Sequence, residues 1–350
     1  MSTAPPRTRV ALLGFGVAGR VFHAPLIASR PELDLAVVVT PSAVEAVQVA
    51  ALHPGTEVLT TPEELWRRAA QVDLVVIATP NASHVPLARA AVDAGLPVVL
   101  DKPLAVTAAD GRDLLEAARA RGVPLTTFLN RRLDGDFRTL QALCARGAFG
   151  RVLQFESRFS WWEPEVGPGW RGRTTVAEGG GVLYDLGPHL IDQAVRLFGP
   201  VVDARADLDR LRPDAVAEDH AFVRLVHAGG VRSRLWMSSA TPLPGPRYWV
   251  LGSRAGYVQH GVDPQEAQLG GGMHPGDPHY GASSPSRWGD LGTDGSTVPV
   301  PTERGAYPTF YADVAAALRG DGPMPVDPAD AVETLDLIER LHAGARRGTA

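Results

Sequence analysis

Two short motifs hold the groups best suited to acid–base chemistry. One is Asp101-Lys102-Pro103; the other is Asp185-x-x-x-His189, within the run Gly179-Gly180-Gly181-Val182-Leu183-Tyr184-Asp185-Leu186-Gly187-Pro188-His189. A lysine after a strand can donate to a substrate oxygen, and its charge lowers the pKa of a nearby alcohol or acid. Asp185 and His189 are four apart, a spacing that places both on one face of a helix. Histidine suits proton transfer near neutral pH. An ordinary reading stands beside each: a turn lysine in solvent, and an Asp185 that caps a helix holding a structural His189. Asp and His at this spacing could also bind a metal. Asp192 falls on another face and no His–Cys cluster is near, so no metal is expected.

Both motifs follow a phosphate-binding pattern. Gly14-Phe15-Gly16-Val17-Ala18-Gly19 fits G-x-G-x-x-G and lies between the apolar run Val10–Leu13 and a helical stretch reaching about Ser29, the context such a motif needs. The first glycine permits a tight turn, the second lets the backbone approach a pyrophosphate, and the third lets helix and strand pack closely. The helix N-terminus then offers N–H groups to phosphate. An NAD site usually has an acid at the end of the second strand, about 20 residues on. Here the strand ends in Val39-Thr40-Pro41-Ser42, without a carboxylate. Thr40 and Ser42 could donate to a 2′-phosphate, and Arg20 could stand near one, so NADP is favoured with NAD left open. Thr79-Pro80-Asn81-Ala82-Ser83-His84 follows another buried run. Asn81 and His84 can hydrogen-bond a nucleotide there, or the turn can simply cap the next helix.

These groups need a frame. Val10–Leu13, Leu35–Val39, Leu74–Ala78, Pro97–Leu100 and Val123–Phe128 read as buried strands, with helical segments between them. Thr61-Pro62-Glu63-Glu64 has the composition of a capping box, Thr107 begins a weaker one, and Gly95 stands where a helix from about Val85 should stop. Strands alternating with helices imply a doubly wound parallel sheet over residues 1–128. Residues 129–350 read differently. Val152–Trp161 alternates, with Leu153, Phe155, Ser157, Phe159 and Trp161 on one face. Val231–Ser239 is similar, and Ala221–Val226, Tyr248–Leu251 and Gly256–Gln259 are further strand candidates. The second sheet should be mostly antiparallel. Val262–Gly305 is rich in Gly, Pro and Ser and reads as a long loop, either plain surface or a pocket wall carrying Trp288. Two helices follow, one over Pro308–Leu318 and one begun by Asp327-Pro328.

Composition excludes several classes. The 350 residues suit two domains, and a net charge of −5 supplies no basic field for nucleic acid or an anionic membrane surface. No leader-like apolar segment opens the chain and none is long enough to span a bilayer. The single cysteine, Cys144, fits the buried stripe of a helix better than a nucleophile and suits a reducing compartment, so a cytoplasmic protein is expected.

In order, the glycine loop, Thr79-Pro80-Asn81-x-x-His84, Asp101-Lys102-Pro103 and the Asp185/His189 run resemble the Gfo/Idh/MocA family across essentially the whole chain. Gly19-Arg20-Val21-Phe22-His23-Ala24-Pro25-Leu26-Ile27, Asn130-Arg131-Arg132 and Tyr184–His189 are similar to its scyllo-inositol dehydrogenase-like branch. The resemblance implies a Rossmann domain followed by an α/β domain with an open, mostly antiparallel sheet. That sheet would form homodimers or homotetramers. It implies Lys102, Asp185 and His189 as catalytic residues, although the family's usual Glu-Lys-Pro is Asp101-Lys102-Pro103 here. Gly14, Phe15, Gly16, Ala18, Gly19, Thr40, Thr79, Pro80, Asn81, His84, Asp101 and Lys102 would hold the nucleotide. Asn130, Arg131 and Trp288 are candidates to line the substrate pocket. The expected reaction is NAD(P)-dependent hydride transfer at a secondary alcohol of a cyclitol, sugar or related polyol. Reduction of an aldose or other carbonyl, and a non-catalytic nucleotide-binding regulator, are the alternatives.

Overall fold

A computed structural model describes residues 7–167 and 172–349. Its first sheet is built from β1 (Thr8–Leu13), β2 (Leu33–Val39), β3 (Glu57–Leu59), β4 (Leu74–Ile77), β5 (Val98–Asp101) and β6 (Leu125–Phe128). All pairings are parallel, in the order β3-β2-β1-β4-β5-β6. Val10–Leu13 and Leu74–Ile77 are fully buried, as strands covered on both faces must be. The order reverses between β1 and β4, and ligands of such sheets bind at the carboxyl ends of the strands beside that switch point. β3 escapes a sequence reading because it has three residues and sits at the sheet edge.

The connecting helices are α1 (Ala24–Ala28), α2 (Ala43–Leu52), α3 (Pro62–Trp66), α4 (His84–Asp93) and α5 (Ala108–Arg121). The single helix expected after the glycine loop is instead a wide π-helical turn over Ala18–His23 that runs into α1; the Ala24 N–H donates to the Gly19 carbonyl. Thr107 does cap α5, accepting from the Asp110 N–H at 3.1 Å. The capping box expected at Thr61 does not form. Thr60 and Thr61 spend their hydroxyls on the Glu64 carboxylate, at 2.9 and 3.4 Å, and no side chain caps α3.

The second sheet contains β7 (Val152–Ser160), β8 (Val201–Arg210), β9 (His220–His227), β10 (Arg232–Ser238), β11 (Tyr248–Gly252), β12 (Gly256–Gln259), β13 (Gly289–Thr293), β14 (Ser296–Val300) and β15 (Arg346–Thr349). Its order is β14-β13-β12-β11-β7-β10-β9-β8-β15. Only β7–β10 and β8–β15 pair parallel. The remaining helices are α6 (Gly135–Ala145), α7 (Val182–Phe198), α8 (Gln265–Gly270), α9 (Tyr307–Leu318) and α10 (Pro328–Gly344). Cys144, near the end of α6, is half-buried, and burial pushes its thiol up to about 11, unlike a nucleophile.

The structure corrects the reading of 262–305 as one long loop. That stretch holds α8 and the β13–β14 hairpin, turned at Asp294-Gly295 with Gly295 at φ 72°. Asp-Gly is a hairpin signal, but neither flanking strand alternates. Pro299 is tolerated because β14 is an edge strand. By packing, the chain forms two compact units. The first comprises residues up to Asn130 with Gln265–Tyr280 and Ala306–Val332; the second comprises Arg131–Pro264, Gly281–Gly305 and the residues from Glu333 on.

In the second unit α7 packs on β7, β9 and β10, over the face that buries Phe155, Ser157 and Phe159. Polar ties fix it there. Arg247, 2 % exposed, donates to Ser157 Oγ at 2.6 Å and to Gln193 Oε1 at 3.0 Å. The Tyr248 hydroxyl donates to the same oxygen at 3.0 Å, and Gln193 Nε2 donates to the Arg131 carbonyl at 2.8 Å. The guanidinium lies 3.9 Å from the Phe159 ring centre and 3.7 Å from the Asp136 carboxylate. Burial pushes Asp136 up to about 6, against the pull of Arg247. Arg247→Met should therefore cost about 3–5 kcal/mol, because it leaves the buried Asp136 carboxylate without its charge partner. Urea unfolding reads this directly; a loss below 1 kcal/mol would remove Arg247 from its place as the anchor of α7.

Candidate active site

In the first unit, the segments after β1, β2, β4 and β5 leave the carboxyl edge of the sheet with the candidate residues. Gly14 follows β1 with φ 92°, and a Cβ there would lie 2.5 Å from the Ala78 carbonyl oxygen, beyond β4. A Cβ at Gly19 would lie 2.1 Å from the Gly14 carbonyl oxygen. Neither position has room for a methyl group. Gly16 is different: a Cβ there meets nothing within 4 Å, and the residue is exposed. The middle glycine therefore presents bare backbone where a pyrophosphate would lie, and the residues fit a dinucleotide. Ala18 is half-buried at the start of the π-helical turn. The Phe15 side chain is buried, 1 % exposed, with its ring edge-on to His53 at 6.1 Å.

The end of β2 also departs from expectation. Thr40 is buried, and its hydroxyl donates to the carboxylate of Glu45. Ser42 caps α2, its Oγ accepting from the Glu45 N–H at 3.3 Å. A carboxylate does stand at this strand end, delivered by the following helix.

After β4, Ser83 Oγ lies 2.7 Å from Thr79 Oγ1 and 2.6 Å from the Pro80 carbonyl oxygen, which closes the turn. Pro80 is exposed and Asn81 half-buried. His84 is buried within the turn. Its Nδ1 lies 2.8 Å from the Pro103 carbonyl oxygen and its Nε2 2.9 Å from that of Thr79, so the ring sits between the β4 turn and the β5 turn and its one N–H joins it to one of them. Burial lowers its pKa despite the nearby Asp101.

Lys102 leaves β5 half-buried, with a cis peptide to Pro103. Asp101 Oδ1 accepts from the Lys102 N–H at 2.8 Å and stands 4.0 Å from His23 Nε2. His23 is fully buried, and its Nδ1 lies 2.6 Å from the Tyr311 hydroxyl. Burial holds this ring down at about 4, so it is neutral at pH 7, while Asp101 pulls the other way. Sequence reasoning missed His23, Tyr311 and Glu45, whose roles depend on contacts it could not see.

In the second unit, Asp185 and His189 lie in the first two turns of α7, Asp185 half-buried and His189 buried. Asp185 is not the helix cap; that position belongs to Gly181, φ 96°, which has no side chain. The capping atom comes from Glu218. Its Oε1 accepts from the Leu183 N–H at 3.2 Å, and its carbonyl accepts from the Val182 N–H at 2.9 Å. A Cβ at Gly181 would lie 2.2 Å from Glu218 Oε1, so only glycine fits. Further along α7, Arg132 clamps Asp192 bidentately, with Nε to Oδ2 at 2.8 Å. Arg131 lies over Phe159, 5.1 Å from the ring centre, and His189 stands edge-on to the same ring at 6.5 Å. Asn130 is 5 % exposed. Trp288 is half-buried at the start of β13, three strands from β7. Glu218 and Gln193 were also missed, and Arg132 was noted only within the run Asn130-Arg131-Arg132; a further sequence signal was the pair of polar residues, Asp192 and Gln193, inside an apolar helix. Among the described residues no cluster of side chains could hold a metal ion, and no helix is long and apolar enough to cross a membrane.

Residues 8–128 match the model of an oxidoreductase family with an NAD-binding Rossmann fold, and residues 137–258 match that of the GFO/IDH/MocA C-terminal domain. The oxidoreductase YdgJ of Escherichia coli is 40 % identical over 95 % of this chain and 94 % of its own. The scyllo-inositol 2-dehydrogenase (NADP(+)) IolW of Bacillus subtilis is 33 % identical over 95 % of this chain and 92 % of its own. A solved structure of the oxidoreductase yvaA from Bacillus subtilis superposes with a TM-score of 0.90 at 31 % identity, over 97 % of this chain and 96 % of that one. The chain belongs to the Gfo/Idh/MocA family: it is an oxidoreductase with an NAD-binding Rossmann fold.

Glu218 yields a pH test. Burial raises its carboxyl from 4.5 to about 7, with the Leu183 N–H and Arg347 pulling it down. A raised folded pKa means the stability is fully present below pH 4.5 and is lost as pH rises through 7. Glu218→Gln keeps the acceptor for Leu183 and cannot ionise. It should be more stable than wild type by about 2 kcal/mol at pH 8 and equal to it at pH 5, by denaturant unfolding. A difference that does not change between pH 5 and 8 would refute the assignment.

Proposed function

We propose that the protein is a dehydrogenase that moves a hydride between a nicotinamide nucleotide and a secondary alcohol of a cyclitol, sugar or related polyol. The observation that carries this reading is the retention of Lys102 at the end of β5 together with Asp185 and His189 on one face of α7, in a chain of this family. The dehydrogenase IolW, which acts on scyllo-inositol, supports the substrate class.

When bound, the nicotinamide supplies the hydride acceptor or donor. Gly14, Gly16, Ala18 and Gly19 would hold the pyrophosphate. Thr79, Pro80, Asn81 and Asp101 would line the path to the nicotinamide. His189 takes the proton of the reacting hydroxyl as general base and returns it in the reverse direction. Lys102 would supply an ammonium charge that stabilises an alkoxide as it develops. Asp185 accepts from a neighbouring hydroxyl and fixes the ring, with Arg131, Asn130 and Trp288 as further pocket residues. Self-association as a homodimer or homotetramer would use the polar face of the second sheet, where Glu156 pairs with Arg158 at 2.7 Å and Arg158 lies over Trp236 at 4.0 Å.

Lys102→Ala should lower kcat by about 10²–10³-fold, with nucleotide affinity nearly intact. The rate is read from absorbance of the reduced nicotinamide across a panel of inositols and sugars. Turnover near the wild-type rate would remove Lys102 from the chemistry.

A further inference from the structure

We propose that Glu45 is the residue that selects the nucleotide, and that it makes the protein prefer NAD(H) to NADP(H). The proposal rests on the nicotinamide-nucleotide reading and deepens it. Thr40 is the first residue after β2, the position where Rossmann proteins place the acid that binds the ribose hydroxyls. A threonine there looks permissive toward a 2′-phosphate. Its geometry says otherwise.

The Thr40 hydroxyl has one proton, and it is given to the Glu45 carboxylate. Its oxygen accepts from the Ser42 N–H at 3.2 Å. Ser42 Oγ accepts from the Glu45 N–H as the cap of α2. Thr40 therefore has no donor left for a phosphate, and Glu45 is held at both its backbone and its carboxylate. Glu45 is half-buried, so the carboxylate keeps lone pairs for a ligand. A carboxylate accepts from ribose hydroxyls and repels a phosphate dianion.

Nothing in the local sequence offsets that repulsion. Thr40-Pro41-Ser42-Ala43-Val44-Glu45 contains no cation, and neither does Thr60-Thr61-Pro62-Glu63-Glu64 after β3, the neighbour of β2. Glu63 and Glu64 add negative charge on that side.

Isothermal titration calorimetry of the purified full chain with NAD⁺ and with NADP⁺ tests this. Wild type should bind NAD⁺ at least about tenfold more tightly than NADP⁺. Glu45→Gln should shrink that ratio by about tenfold, chiefly by tightening NADP⁺, and Glu45→Arg should reverse it. The ratio within each variant is its own control for misfolding, since both nucleotides share the pyrophosphate loop. Equal or tighter NADP⁺ binding by wild type would overturn the proposal, as would a ratio unchanged in Glu45→Gln. Binding of neither nucleotide by a folded wild-type chain would overturn the nucleotide reading itself, and this proposal with it.

Discussion

The first unit depends on two places where no side chain fits. Gly14 turns against the carbonyl of Ala78, and Gly19 packs against the carbonyl of Gly14. Both contacts sit at the point where the strand order reverses, so they bring the loop after β1 against the loop after β4. The other elements of that edge are joined in the same spirit. His84 spans from Thr79 to Pro103, and Asp101 holds the backbone of Lys102. A bare backbone at Gly16 and a lysine at the end of β5 are thus fixed by contacts made mostly to carbonyl oxygens. Such contacts are insensitive to side-chain rotamers, which suits a site that must hold its shape.

The second unit solves a different problem. Its key helix, α7, starts with glycines and so cannot cap itself. Glu218 supplies the missing acceptor, and the glycine at 181 is what lets that carboxylate come close. Arg132 and Arg247 hold the next turns through Asp192 and Gln193. Buried ionic groups of this kind add little net stability. Here they fix the rotation of α7 about its axis, and hence the direction of Asp185 and His189. A purely apolar helix face would leave that rotation less defined.

What the sequence made legible follows from this. The buried strands of the first unit and the alternation of β7 were readable because burial on both faces, or on one, leaves its own pattern. The glycine motif was readable because three backbone constraints recur at fixed spacing. β3 has three residues, too few to show a period, and neither β13 nor β14 alternates. Glu45, Glu218, His23 and Arg247 act through partners between 5 and 288 positions away, so their roles appear only in the folded chain. The end of β2 shows this most plainly: the strand itself ends without an acid, and a carboxylate, Glu45, reaches Thr40 from the helix after it.

The central claim is hydride transfer from a carbinol carbon, and isotope transfer tests it most directly. The protein would be incubated with oxidised nucleotide and an inositol or sugar fully deuterated at carbon. The reduced nucleotide would then be isolated and weighed by mass spectrometry. The account expects one deuterium on the nicotinamide ring of every reduced molecule. Reduced nucleotide carrying no deuterium, or no reduction with any polyol or sugar while the nucleotide binds, would contradict it.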